Sequence, residues 1–192
     1  MPSLGLSLSL TARFRGSGPR FNPAQLFSSS TDGCFFDPNV LSAVWSDTAG
    51  TTAAGLGGLL RRMDDLSGNG NNATSSTAWA LRRDATYSAQ RDGGTFSVTL
   101  PDLGADATVA YVDHASGVTI LTGQTIGAGS YALPTSARLG PVIIIDRALT
   151  APETAALTTW LTARRPGNWL LGLGVWDDAG AWTDTAFWQT AA

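Results

Sequence analysis

The chain contains no lysine, one glutamate, one histidine and one cysteine among 192 residues. All twelve basic side chains are arginines, and Asp supplies every acid except Glu153. A lone Cys34 excludes an internal disulfide and a cysteine-based metal site, and a lone His114 excludes a histidine-clustered zinc site. Charged residues make up 14% of the chain, against roughly 25% in an average soluble domain. With a net charge of −3 there is no basic excess to neutralise phosphates, so nucleic acid is not an expected partner. No apolar run approaches the ~20 residues of a membrane span. The first ten residues lack the basic start and continuous apolar core of a secretory signal. The expectation is a soluble chain with no membrane insertion. Arginine without lysine is what a GC-rich genome would give; it also suits interfaces, where a planar guanidinium binds better than an ammonium.

What is present is a hydrophobic fraction of 43% with 22 glycines, enough for one core and many turns. A length of 192 residues fits one domain with tails, on a scale of about 100 to 200 residues per domain. The polar surface must come from Ser, Thr, Asn and Gly, a profile of strands and turns.

Leu4, Leu6, Leu8 and Leu10 alternate with Ser or Gly, the period of a strand with one buried face. A stretch punctuated by Gly and Pro follows to Arg20 and reads as a linker. Residues 1–20 are therefore either an arm that adds a strand to a neighbouring subunit or the first strand of the chain's own sheet. In the first case Leu4, Leu6, Leu8, Arg13, Phe14 and Arg15 are the docking candidates.

Residues 21–167 are expected to form the main module. Its first part, to about Tyr87, reads as loop-rich. Phe35-Phe36-Asp37-Pro38 suggests a short strand ending in a turn, residues 40–45 a helical turn or a strand, and residues 46–52 a turn. Residues 59–63 read as a strand entering an Asn/Gly-dense loop over 64–73. Later, residues 95–100 alternate, and residues 108–112 and 117–122 are β-branched runs joined through Asp113-His114-Ala115-Ser116, a hairpin. Residues 139–145 form the most hydrophobic run, a central strand with Pro141 expected at its start. A single helix is expected over about 150–165. Thr150 and Glu153 form a capping box, Pro152 sits in the first turn, and Leu157, Trp160, Leu161 and Arg164 follow helical spacing up to Pro166-Gly167.

The remainder, 168–192, is tryptophan-rich. Trp176, Trp182 and Trp188 recur at every sixth position, which puts them on one face of a strand, or of two strands turning at Gly180. Such a face is either a packed stripe or a contact for a partner or a glycan.

Chemical motifs are weak. Asp65, Ser67, Asn69 and Gly70 match the opening of a calcium loop, but its twelfth position is Ser76 instead of glutamate. The alternatives are a weak calcium site shared by Asp64, Asp65 and Asn69, or a turn held by Asx side chains. His114 beside Asp113 lacks a nucleophile elbow and is better explained as a hairpin-tip residue. The Gly-rich run at 127–129 fails the phosphate-binding pattern. Asp residues fall in turns rather than as a pair in a cleft. No catalytic set and no cofactor are expected.

Three segments resemble a known family. Asp65-Leu-Ser-Gly-Asn-Gly-Asn-Asn-Ala-Thr74 is similar to the D-x-S-G-x-G-N-x-A loop of laminin-G-like, concanavalin-like modules. Ile143-Ile-Ile-Asp-Arg-Ala-Leu-Thr-Ala-Pro-Glu153 resembles their late strand and helix. Phe35-Phe-Asp-Pro-Asn-Val-Leu41 with Ser46-Asp-Thr-Ala-Gly-Thr-Thr52 resembles the upstream run found in phage fibre and minor virion proteins of this type. The resemblance spans roughly residues 26–165. It implies a mainly β, jelly-roll-like sandwich and a virion structural protein: a fibre, spike, collar or tail-attached component. Its expected partners are other virion proteins and copies of itself, a trimer by analogy with fibres, with a host-surface glycan as a further possibility. The span between the motifs is short for a full sandwich of that type, so no ligand residues carry over. The rival readings are a carbohydrate-binding receptor module, a surface glycan hydrolase and a capsid cement protein.

Overall fold

In a computed structural model, the chain is described over residues 21–165 and at two short strands, Val175–Trp176 and Trp182–Thr183. The fold is mainly β with one helix. Its strands are β1 (Gly33–Phe36), β2 (Val44–Trp45), β3 (Leu59–Met63), β4 (Ala73–Arg83), β5 (Tyr87–Gln90), β6 (Ser97–Leu100), β7 (Gly104–Asp113), β8 (Gly117–Ile126), β9 (Gly129–Ala132) and β10 (Arg138–Ile145). Helix α1 (Ala151–Thr162) follows, then β11 (Val175–Trp176) and β12 (Trp182–Thr183).

The first ten strands form one antiparallel sheet in the order β2-β3-β4-β5-β10-β7-β8. Two strands split their pairing and so curl the sheet. One edge of β4 holds β6 at Ala73 and Thr74, then β5 from Ala80 to Arg83. One edge of β10 holds β5 at Arg138 and Leu139, then β1 from Val142 to Ile145. β9 extends the sheet outward from β6. The curled sheet encloses the larger core, which includes Phe36, Leu60, Met63, Trp79, Leu81, Phe96, Val98, Val109, Leu139, Val142 and Ile144. This agrees with a jelly-roll-like sandwich.

A smaller core lies on the opposite face of β1, β10 and β7. Phe35, Ala110, Val112, Ile143 and Ile145 pack there against Leu157 and Leu161 of α1. β10 is therefore buried on both faces, Val142 and Ile144 inward and Ile143 and Ile145 toward the helix. That is why its sequence is an unbroken apolar run instead of an alternation. The run is central, as expected, but Pro141 lies inside the strand and not at its start. The strand tolerates it because β5 pairs up to Leu139 and β1 begins at Val142. The β7 register also shifts between Leu139 and Val142, so no partner requires the missing N–H.

The segment read as loop-rich contains the longest strand, β4, and β5 beyond it. In β4, Ala73, Ser75, Trp79 and Leu81 point inward with period two. Small and hydroxylated residues hide that alternation from a hydrophobicity reading. Residues 40–45 combine both readings, a 3-10 turn over Leu41–Ala43 followed by β2. The hairpin of β7 and β8 forms about residues 114–116. Gly33 must be glycine: its φ is 131°, and a Cβ there would come within 2.0 Å of the Ile144 carbonyl oxygen.

The helix begins at its expected cap. Thr150 accepts from the Glu153 N–H at 3.4 Å, and the Glu153 carboxylate accepts from the Thr150 N–H at 2.8 Å. Its regular part ends at Thr162 and turns on to Arg165. β11 and β12 pair antiparallel with Trp176 opposite Trp182. This is the two-strand alternative for the tryptophan segment. Residues 1–20, which carry the proposed docking arm, lie outside the described residues, as does Trp188.

Candidate functional site

The Asp65 loop and β10 both meet β1. The Asp65 carboxylate accepts from the backbone N–H groups of Phe35, Ser67 and Asn71 at 2.9, 2.9 and 3.0 Å. It also accepts from the Ser67 hydroxyl at 2.8 Å. Asn69 and Asn71 donate their side-chain amides to the Gly33 carbonyl at 3.2 and 2.8 Å. Asp64 is occupied as well, taking Trp45 Nε1 and Arg62 Nε, each at 2.7 Å. The loop is thus an Asx-built staple across β1, the turn alternative to a calcium site. Its carboxylate oxygens already have donors, and among the described residues no group of three or more acidic, His or Cys side chains is arranged to hold a metal.

The other segments work in the same way. The Asp47 carboxylate gathers the N–H groups of Gly50, Thr51 and Thr52 and the Thr51 hydroxyl. These bonds, led by that from Thr51, hold its pKa well below the usual carboxylate range. Arg147 grips Glu153 with two hydrogen bonds of 2.9 and 2.8 Å and reaches the Leu26 carbonyl at 3.3 Å. The Arg147 bond is the main reason that the Glu153 carboxyl falls to about 2. The pair locks the strand-to-helix corner.

At the far end of β1, Asp37 is almost fully buried, its side chain 2% exposed, and accepts from Arg164 Nε at 2.9 Å. It also caps Asn39, whose side-chain oxygen accepts from the Tyr87 N–H at 2.8 Å. The Arg164 guanidinium lies over the Trp160 ring, 3.5 Å from its centroid. Phe35 meets the same ring edge-on at 5.5 Å.

These residues border an open cleft of about 560 Å³ between residues 21–24, β1 and the end of α1. Phe21, Phe35, Leu66 and Trp160 supply its apolar wall and Asn22, Asp37 and Arg164 its polar groups. Asp37 is the only carboxylate in that lining. One face of the Trp160 ring carries the guanidinium. Sequence reading placed Trp160 and Arg164 on the helix but did not single them out as a site. Their juxtaposition with Asp37 joins residues 127 positions apart, a separation that carries no local signal.

His114 sits at the hairpin turn as expected, but its side chain folds inward and is 2% exposed. Among the described residues neither ring nitrogen has a hydrogen-bond partner, and the Asp84 carboxylate is 3.8 Å from Nδ1. Burial first and the Arg138 charge second push its pKa down to about 4, against Asp84 and Asp113. It is a neutral packing residue at pH 7. Burial raises the neighbouring Asp113 carboxyl, but the Ala115 N–H and the hydroxyls of Ser116 and Ser136 more than offset this and leave its pKa lowered. Cys34 is a buried thiol whose pKa is pushed up by burial and by Asp65.

Of the residues singled out for docking or glycan contact, Trp176 and Trp182 are brought together as cross-strand partners. No family model, curated protein or solved structure matches this chain.

Proposed function

We propose that this chain is a non-catalytic structural component of a bacteriophage-type particle, a fibre, spike, collar or tail-attached protein acting in assembly or host adhesion. One observation carries the reading: the Asp65 loop, the run from Phe35 to Asp37 and the strand-to-helix corner, each in a segment that resembles virion modules, are joined through β1 and α1. The Asp65 loop pins β1, Asp37 after β1 pins the end of α1, and Arg147 with Glu153 pins its start. That residues of these resembling segments meet in space supports reading them as one framework, and not as scattered coincidences. The Asp37, Asp65 and Glu153 carboxylates are occupied by those ties, which favours scaffolding over turnover.

The test is the protein content of density-purified particles from a culture producing this chain. Mass spectrometry should find it in the particle band at few copies per particle. Its absence there would overturn the reading, and hundreds of copies would identify a capsid cement protein instead. The pairing of Trp176 with Trp182 in the register of β11 and β12 favours a second reading, glycan contact. Loss of glycan-array binding in Trp182→Ala, with unchanged unfolding, would identify that role.

A further inference from the structure

We infer that Asn69 is a self-modification site: the Gly70 backbone nitrogen displaces ammonia from its side-chain amide in the folded chain, and β1 loses one of its ties. Asn69-Gly70 is the one Asn-Gly pair in the sequence, at the tip of the loop that the Asp65 carboxylate holds. Ring closure needs a following N–H that is unbonded, unshielded and open to the base that removes its proton. Both Asn69 and Gly70 are exposed. Among the described residues the Gly70 N–H has no acceptor. A Cβ built at Gly70, where φ is 79°, would meet nothing within 4 Å, so the space beside that nitrogen is open.

The other asparagines of the described residues lack this combination. Asn22 precedes Pro23, which has no N–H. After Asn39 the Val40 N–H donates to the Asp37 carbonyl at 2.9 Å, and after Asn71 the Asn72 N–H donates to the Gly70 carbonyl at 3.0 Å. Asn72 precedes Ala73, which is fully buried at the start of β4. The fold therefore selects Asn69 by leaving its neighbour's nitrogen without shield or partner.

In the reaction the Gly70 amide gives its proton to solvent base, and its nitrogen bonds to Asn69 Cγ. The Cγ–Nδ2 bond breaks, and Nδ2 takes a proton from water and leaves as ammonia. Water then opens the cyclic imide at either carbonyl, giving aspartate or isoaspartate. One water enters, one ammonia leaves, and nothing is oxidised. The lost amide is the group that donates to the carbonyls of Thr31 and Gly33, at 3.1 and 3.2 Å. A carboxylate only accepts, so it faces those oxygens with no hydrogen to offer. Gly33 keeps its bond from Asn71, but the carbonyl of Thr31, a buried residue, has no other donor among the described residues. In isoaspartate the extra backbone carbon also shifts the Asn71 N–H, which donates to Asp65 at 3.0 Å. The two bonds of the Asn69 amide restrain the reaction too. Opening both should slow it roughly 30-fold against the unfolded chain, without stopping it.

The experiment is peptide mapping by mass spectrometry of the full chain aged in mildly alkaline buffer, folded and in urea. In the folded sample Asn69 should convert ahead of every other asparagine of residues 21–165, to both aspartate and isoaspartate. Its rate there should lie roughly 30-fold below that in urea. Conversion confined to the urea sample would overturn the proposal, as would a folded chain in which another of those asparagines converts first. The modified chains carry an added negative charge, so ion exchange separates them from the rest. In that fraction the β1 amides should exchange with deuterium roughly 10-fold faster than in the unmodified chain, with the β7 amides unchanged. Asn69→Asp should show the same faster β1 exchange without ageing. Unchanged β1 exchange in either sample, or equal acceleration of β7, would overturn the release of β1. None of these measurements depends on the particle, so this proposal and the structural role fail separately.

Discussion

Asp65 sits where the Asn/Gly loop meets β1, and three backbone N–H groups depend on its carboxylate. An alanine there leaves those donors without an acceptor in a partly buried site, and such losses cost about 2–4 kcal/mol. Asp65→Ala should therefore lower the unfolding free energy from urea titration by that amount, and calcium should leave the wild-type midpoint unchanged. A calcium-dependent shift would restore the metal reading of the loop. Turn chemistry at Asp65 and Asp47 was legible in the sequence, because Asp, Ser, Asn and Gly at such spacings build Asx turns. The target of the loop, the Phe35 N–H thirty residues away, was not, since only folding brings it near.

His114 makes a pH prediction. Its folded pKa of about 4 lies below the ~6.5 of an exposed histidine, so the unfolded chain takes up the proton first. Stability is then complete above about pH 6.5 and falls as the pH drops toward 4, by about 2 kcal/mol. The carboxylates held low, Glu153 and Asp113 among them, act in a more acidic window. Their contribution is full above the unfolded carboxylate range, near pH 4 to 4.5, and is lost only below it. Urea titrations between pH 7 and 4.5 should show a slope that His114→Leu removes. A slope that persists in the variant would place the proton elsewhere. The sequence located this histidine at the hairpin; that its ring faces inward was decided by packing under Asp84 and Arg138.

At the scale of elements, α1 was the most readable. Its cap, first-turn proline and apolar spacing are all local, and the structure begins the helix at the same residue. What holds it to the sheet is Leu157 and Leu161, both fully buried. Leu157→Ala should cost about 2–5 kcal/mol in chemical unfolding. The exposed threonines of the same helix already donate to carbonyls one turn back and should tolerate substitution within about 0.5 kcal/mol. A small loss at Leu157 would mean that the helix is not an integral part of the fold. β4 marks the opposite limit. Its inward residues include Ala73 and Ser75, which carry no hydrophobic signal, so its pairing with β3, β5 and β6 was visible only once those strands were in place. Pro141 misled for a related reason: a proline is excluded from a strand only where a neighbour needs its N–H, and at that point no neighbour pairs.

Across the whole molecule, a low charge content and two cores on opposite faces of β1, β10 and β7 make a body whose surface depends on Ser, Thr and Asn. Such a surface carries few charges to oppose association. The particle experiment is sensitive to that property, since a fibre component and a cement protein would both associate but in very different numbers. Local pattern alone determined the mainly β class, the single capped helix, the hairpin at residues 113–117 and the turn character of the Asp-rich loops. Each of these rests on interactions within a few residues. Tertiary structure alone decided which strands are neighbours, that β10 is buried on both sides, and that Asp37 meets Arg164 beside Trp160. Those outcomes depend on contacts between residues tens of positions apart, and periodicity along a chain does not encode which distant strand will pair with it.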